Sequence, residues 1–193
     1  MADELSKAGM ILFHAGYDVI EAPDIHFGRR NADFGQGFYT TDSEELAKRW
    51  IKQRNDRTAY LNTYELDTTA LKIKDLPRGE EWFEYIYANR HLMPDTLSGY
   101  DVISGAVAND TIFDTLGLTT SGVLDKAVSL KALMAGNEYR QITLKTEKAA
   151  AALRFTGADI ITPEESRHYS KLLEREEKAF QEEFFGIVGQ EEE

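Results

Sequence analysis

Apolar and polar positions recur along this chain with two different short periods, which predicts a mixture of strands and helices. Met10 to Phe13 is a short apolar run that reads as a buried strand ending at His14. Ala15 to Gly37 loses the periodicity and carries Gly16, Pro23, Gly28, Gly35 and Gly37. It also holds Phe27, Phe34 and two arginines, so a long, ordered loop is expected there. Phe38 to Thr41 returns as a short strand. Ser43 to Arg54 reads as a helix capped by Asp42 or Ser43, with acids in its first turn. Its buried stripe is Leu46, Ala47, Trp50 and Ile51. Tyr60, Asn62, Tyr64 and Leu66 alternate along a strand, and Leu71 to Ile73 forms another short one.

Further on, Glu80 to Asn89 reads as a helix with Trp82, Phe83, Ile86 and Tyr87 inward, and Tyr100 to Ala108 as a central strand. A helical region is expected over about Thr120 to Met134, then a strand over Arg140 to Leu144. Thr146 caps a short helix running to Leu153, and Ala158 to Ile161 is a last strand. Pro163 opens a long helix to about Phe185, with Tyr169, Leu172, Leu173, Phe180 and Phe184 at helical spacing. Short strands with interspersed helices give an α+β fold. No internal repeat divides the chain, and the expected organisation is one body over 1–162 with an acidic helix and tail over 163–193.

Composition narrows the chemistry. The 193 residues suffice for a core without covalent staples. There is no cysteine, which excludes disulfides, thiolate zinc sites and cysteine nucleophiles. No apolar run approaches the roughly 20 residues needed to cross a bilayer, and the polar start, Met1 to Ala8, lacks a signal peptide's pattern. The expectation is a cytoplasmic protein with no membrane partner. The net charge of −12 disfavours non-specific contact with nucleic-acid backbones. Half of it falls from Pro163 onward, which leaves room for a local basic groove in the body, where Arg29, Arg30, Arg49, Arg54 and Arg57 lie.

The densest local signal is Asp33-Phe34-Gly35-Gln36-Gly37-Phe38-Tyr39-Thr40. Two glycines just before an aromatic strand either make a tight turn or let a ligand approach the backbone. Upstream, His14 closes an apolar strand and is followed by Ala15-Gly16; one ring nitrogen there either holds a ribose hydroxyl or makes the hydrogen bond of an ordinary structural histidine, the favoured reading for a lone His without context. His26, His91 and His168 show no metal-ligand spacing.

Leu12-Phe13-His14 and Gly35-Gln36-Gly37-Phe38-Tyr39 resemble the His and Tyr motifs of the diphtheria-toxin and poly(ADP-ribose) polymerase branch of ADP-ribosyltransferases. The stretch from about Ile11 to Ile161 is similar to a bacterial family of uncharacterised domains placed in that superfamily. The similarity runs through Phe27-Gly28-Arg29, the Asn31 to Tyr39 block, Ala88-Asn89-Arg90, Tyr100-Asp101-Val102, Ala108-Asn109-Asp110, Gln141-Ile142 and Lys145 to Ala149. The resemblance implies a split β-sheet core with peripheral helices, binding NAD as substrate. It implies that His14 meets the adenosine-side ribose, that the backbone at Ala15 holds the nicotinamide carboxamide, and that Tyr39 stacks on the nicotinamide ring. The NAD-binding set is then His14, Ala15, Gly16, Arg29, Asp33, Gly37, Phe38 and Tyr39. Arg29 is placed on the diphosphate, because a guanidinium fork matches phosphate oxygens; an ordinary surface ion pair is its other reading. The third catalytic position, a glutamate in most of the superfamily, matches Gln141 here. Either Gln141 suffices, or a carboxylate from Glu138, Asp110, Asp33 or Glu65 reaches in. The implied activity is transfer of ADP-ribose to a macromolecular acceptor, a protein rather than a nucleic acid, as in bacterial toxins and effectors, with a neutralising partner protein. NAD hydrolysis, or binding of NAD or ADP-ribose without turnover, is the alternative.

Overall fold

The structure is a computed structural model and describes residues 9–51, 54, 56–108, 130, 134 and 137–189. Seven strands and four helices make up its named elements, and the fold is α+β. β1 (Met10–Gly16), β3 (Ala59–Leu66) and β7 (Leu153–Ile161) form an antiparallel sheet in the order β1-β3-β7. β2 (Phe38–Thr40), β6 (Arg140–Leu144), β5 (Val102–Ala106) and β4 (Ile73–Leu76) form a second, in the order β2-β6-β5-β4, with β4 and β5 parallel. The helices are α1 (Glu44–Trp50), α2 (Glu80–Arg90), α3 (Glu147–Ala151) and α4 (Pro163–Gly189).

Each sheet contributes one face to a shared apolar layer. Leu12, Tyr64 and Leu66 from the first meet Phe38, Val102, Ile142 and Leu144 from the second. β5 is buried along its whole length because α2 covers its other face, where Ile103 and Ala106 pack with Trp82, Phe83, Tyr85 and Ile86. The indole nitrogen of Trp82 donates to the Ala106 carbonyl, so this large ring is buried with its one polar atom satisfied. α1 covers the outer face of the first sheet through Ala47, Ile51, Ala59, Leu61 and Ile161.

Several boundaries differ from the sequence pattern. β1 continues past His14 to Gly16, held in register against β3 up to Gly16↔Tyr60. α1 ends at Trp50 instead of Arg54, because Ile51 turns extended and packs with Leu61 and Ile161. Ser43 is its cap, accepting from the Leu46 amide. In β3 the buried positions are Ala59 and Leu61 as well as Asn62, Tyr64 and Leu66, while Tyr60 is only half-buried; α1 and the second sheet cover opposite faces. β4 starts at Ile73, two residues later than the pattern, and β7 starts at Leu153, five residues earlier than Ala158. In α2, Tyr85 is buried and Tyr87 lies at the rim of the same cluster. Apart from residues 130 and 134, the helix expected over about Thr120 to Met134 lies outside the described residues, as does Glu191 to Glu193.

α4 opens with reciprocal capping. Thr162 Oγ1 accepts from the Glu165 amide, Glu165 Oε2 accepts from the Thr162 amide, and Pro163 takes the first helical position. The helix lies against α1 through Lys48–Glu165 and Arg49–Glu176 ion pairs. Phe180 is buried in the cluster that holds Phe34 and Trp82.

Candidate functional site

The site begins where the two sheets part. Phe13 of β1 bridges Thr41, the residue just after β2, with both backbone bonds made at 2.8 and 3.0 Å. Backbone groups along a strand alternate sides, so the Ala15 N–H and C=O point to the same side as those of Phe13. β2 supplies no second rung there, and the edge of β1 is open beside Ala15.

His14 spans this parting. Its Nδ1 lies 2.8 Å from the Tyr39 carbonyl, which only accepts, so Nδ1 carries the proton and Nε2 presents a lone pair. Burial lowers the imidazole pKa below its ordinary value of 6.5, against the opposing pull of the Tyr39 carbonyl, and this keeps the ring neutral near pH 7. The ring also packs on Phe38, centroids 4.8 Å apart. Gly16 leaves space beside Nε2, the nearest group to its missing side chain. Behind β1, Asn62 is fully buried and fixes the chain that leaves the strand. It donates to the carbonyls of His14 and Asp18 and accepts from the Ile20 amide.

Tyr39 is held by its hydroxyl, which donates to the Gly35 carbonyl at 2.7 Å and accepts from the Phe34 amide at 2.8 Å. Burial, followed by the Asp33 charge, drives its pKa far up, so the phenol stays protonated. The glycines of this loop are steric requirements. Gly35 has φ +72°, and a methyl group on Gly37 would lie 2.6 Å from the Leu144 carbonyl oxygen. Gln36 staples the loop by donating to the carbonyls of His26 and Gly28.

Beside Tyr39 a cleft of about 520 Å³ opens, a size suited to a nucleotide-sized ligand. Arg29, Asp33, Tyr39 and Gln141 line it together, as do Arg49, Trp50, Arg78 and Tyr139. His14, Ala15, Gly16, Gly37 and Phe38 are not in its lining; His14 is joined to it through its bond to Tyr39, which does line it. Arg30 lines a separate cavity of about 490 Å³ with His26, Asp95 and Lys145.

Asp33 is the carboxylate in contact with Gln141. Its Oδ1 receives Arg90 Nε at 2.9 Å and also Nη2, and its Oδ2 receives the Ala108 amide and Gln141 Nε2, each at 3.1 Å. Of the other carboxylates considered from the sequence, Glu65 pairs with Arg154 on the first sheet and Glu138 is exposed and absent from the lining. Asp110 lies outside the described residues. Sequence reasoning missed the wall that α4 provides: Leu173, Glu176, Glu177, Ala179, Phe180 and Glu183 all border the cleft. Glu176 there accepts from both Arg49 and the Tyr139 hydroxyl. These partners lie 127 and 37 residues away in sequence, and a charged helix face gives no local sign of them. Arg90, by contrast, carried a signal in the Ala88-Asn89-Arg90 block.

Among the described residues, no group of acidic or histidine side chains is arranged to hold a metal ion, and no helix is long and apolar enough to cross a membrane. No curated protein matches the chain. Residues 10–155, from β1 into β7 and ending before α4, match the family described as "Protein of unknown function (DUF3990)", and the chain belongs to that family.

Proposed function

We propose that this protein binds NAD where its two sheets part and in the adjoining cleft, and transfers the ADP-ribose unit to a macromolecular acceptor. The observation that carries this reading is the neutral, fixed imidazole of His14, bonded to the strand that bears Tyr39. Its Nε2 suits a ribose hydroxyl as donor. The open backbone edge at Ala15 offers one donor and one acceptor, which is what a carboxamide needs. The Tyr39 ring, its hydroxyl tied back into the loop, offers a face to a flat cationic ring. Arg29 stands exposed on the cleft lining, and its guanidinium fork suits the oxygens of a diphosphate.

In the reaction the bond from the ribose C1′ to the nicotinamide nitrogen breaks, and its electron pair leaves with nicotinamide. The ribose passes through an oxocarbenium-like state, a nucleophilic heteroatom of the acceptor bonds to C1′, and that atom releases its proton. Gln141 contributes a dipole at this charge in place of a carboxylate. The net charge of −12 favours a protein acceptor over a nucleic acid.

One observation favours a second reading, a module that holds NAD or ADP-ribose without turnover: the residue on β6 that borders the cleft is the neutral Gln141. Nicotinamide release by the purified protein, with and without cell lysate and beside a Tyr39→Ala variant, separates the readings. Lysate-dependent release that is lost in the variant is the expected result. Release without lysate identifies a hydrolase, and tight NAD binding with no release in either mixture identifies the module.

A further inference from the structure

Gln141 is 3% exposed, and both groups facing its amide nitrogen can only accept: Asp33 Oδ2 at 3.1 Å and the Ala106 carbonyl at 3.3 Å. The orientation of the amide is therefore forced. Its NH₂ takes these two acceptors, and Oε1 is turned away from both. Asp33 is fixed in turn by Arg90, whose side chain is 3% exposed, and by the Ala108 amide. Asp33 and Gln141 border the cleft together with Tyr39 and Arg29. A carboxylate that accepts from one end of an amide draws positive charge toward itself and leaves the carbonyl oxygen at the other end more negative.

We propose that Asp33 is a positioning residue that acts through Gln141: it fixes and polarises Gln141 Oε1 as the acceptor for a hydroxyl of the substrate's ribose, so that two residues together do the work of one carboxylate. This rests on the NAD-cleaving reading above. It assigns the third position to a coupled pair joined by one hydrogen bond, with the negative charge one residue removed from the substrate. Arg90 belongs to the same arrangement, since its guanidinium bonds Asp33 Oδ1 through both Nε and Nη2 and holds the carboxylate in place.

The competing view is that the bonds among Arg90, Asp33 and Gln141 merely hold the glycine-rich loop against β6. A double-mutant cycle decides between them, with kcat and KM for NAD read from nicotinamide release and folding followed by thermal melting. Q141M keeps the volume and removes the acceptor; its kcat is expected to fall about 100-fold with KM little changed. D33N is expected to lower kcat by roughly tenfold or more in the otherwise native protein and to have no further effect on kcat in the Q141M background. Equal losses from D33N in both backgrounds, or a D33N variant that melts early yet keeps its kcat, overturn the proposal. Should D33N fail to fold because Arg90 loses its anion, D33N/R90Q restores the charge balance and enters the same cycle. A wild-type protein that releases no nicotinamide refutes the NAD-cleaving reading itself and this proposal with it; turnover with an additive cycle refutes the proposal alone.

Discussion

His14 Nδ1 donates to the main-chain carbonyl of Tyr39 at 2.8 Å, joining residues 25 positions apart across the line where the two sheets separate. Beyond the Phe13↔Thr41 bridge this bond continues the connection between β1 and β2, and it also sets the tautomer that leaves Nε2 as an acceptor. H14A removes the bond and the packing on Phe38, and is expected to lower the unfolding free energy by about 2 kcal/mol. H14Q, whose amide still donates, loses about half as much. Urea unfolding checks both values, and NAD titration is expected to show weakened binding for each.

Gly16 separates folding from binding. A methyl group there would sit 3.4 Å from His14 Nε2, an ordinary contact, so G16A folds with a melting temperature close to that of the parent. The same methyl group occupies the space beside the acceptor lone pair. NAD affinity measured by calorimetry is expected to fall at least tenfold; unchanged affinity would place the ribose elsewhere.

A pH dependence follows from the imidazole. Burial holds the His14 pKa below 6.5 in the folded protein, so as pH falls below 6.5 the unfolded chain takes up the proton first. The stability that His14 contributes is therefore fully present above 6.5 and is lost as pH drops toward the depressed folded value, with no further loss below it. Protonation of the folded protein also turns Nε2 into a donor, so NAD binding weakens only as pH falls through that depressed folded value. Comparing wild type with H14Q in urea at a series of pH values tests this, because the variant lacks that part of the slope.

α4 is expected to matter for the body it covers, although the family match ends before it. Phe180 is 4% exposed among Phe34, Trp82 and Ile103. F180A is expected to cost about 3 kcal/mol of stability, read from the shift of the urea midpoint. E176Q, which weakens the contacts to Arg49 and Tyr139, is expected to cost less, about 1 kcal/mol.

How far this was legible in the sequence depends on the range of each interaction. The glycine-rich block before Tyr39 and the capping by Ser43 and Thr146 are local, and the chain shows them directly. The early end of α1 depends on Ile51 finding Leu61 and Ile161, which the helical stripe does not record. Asp33 meets Gln141 across 108 positions, and Arg49 meets Glu176 across 127. A Glu on a charged helix looks solvated until the fold brings an arginine to it. Asn62 is the clearest case: a polar residue in an alternating strand reads as one more inward position, yet its role is to hold the carbonyls that follow His14.

The most direct test is NMR of the histidine side chains during NAD titration. The chain has four histidines, and His14 alone sits where the two sheets part. Saturating NAD is expected to shift the His14 ring signals, Nε2 most of all, and to leave His26, His91 and His168 where they were. Binding that leaves His14 unshifted, or no shift in any histidine at millimolar NAD, would contradict the account.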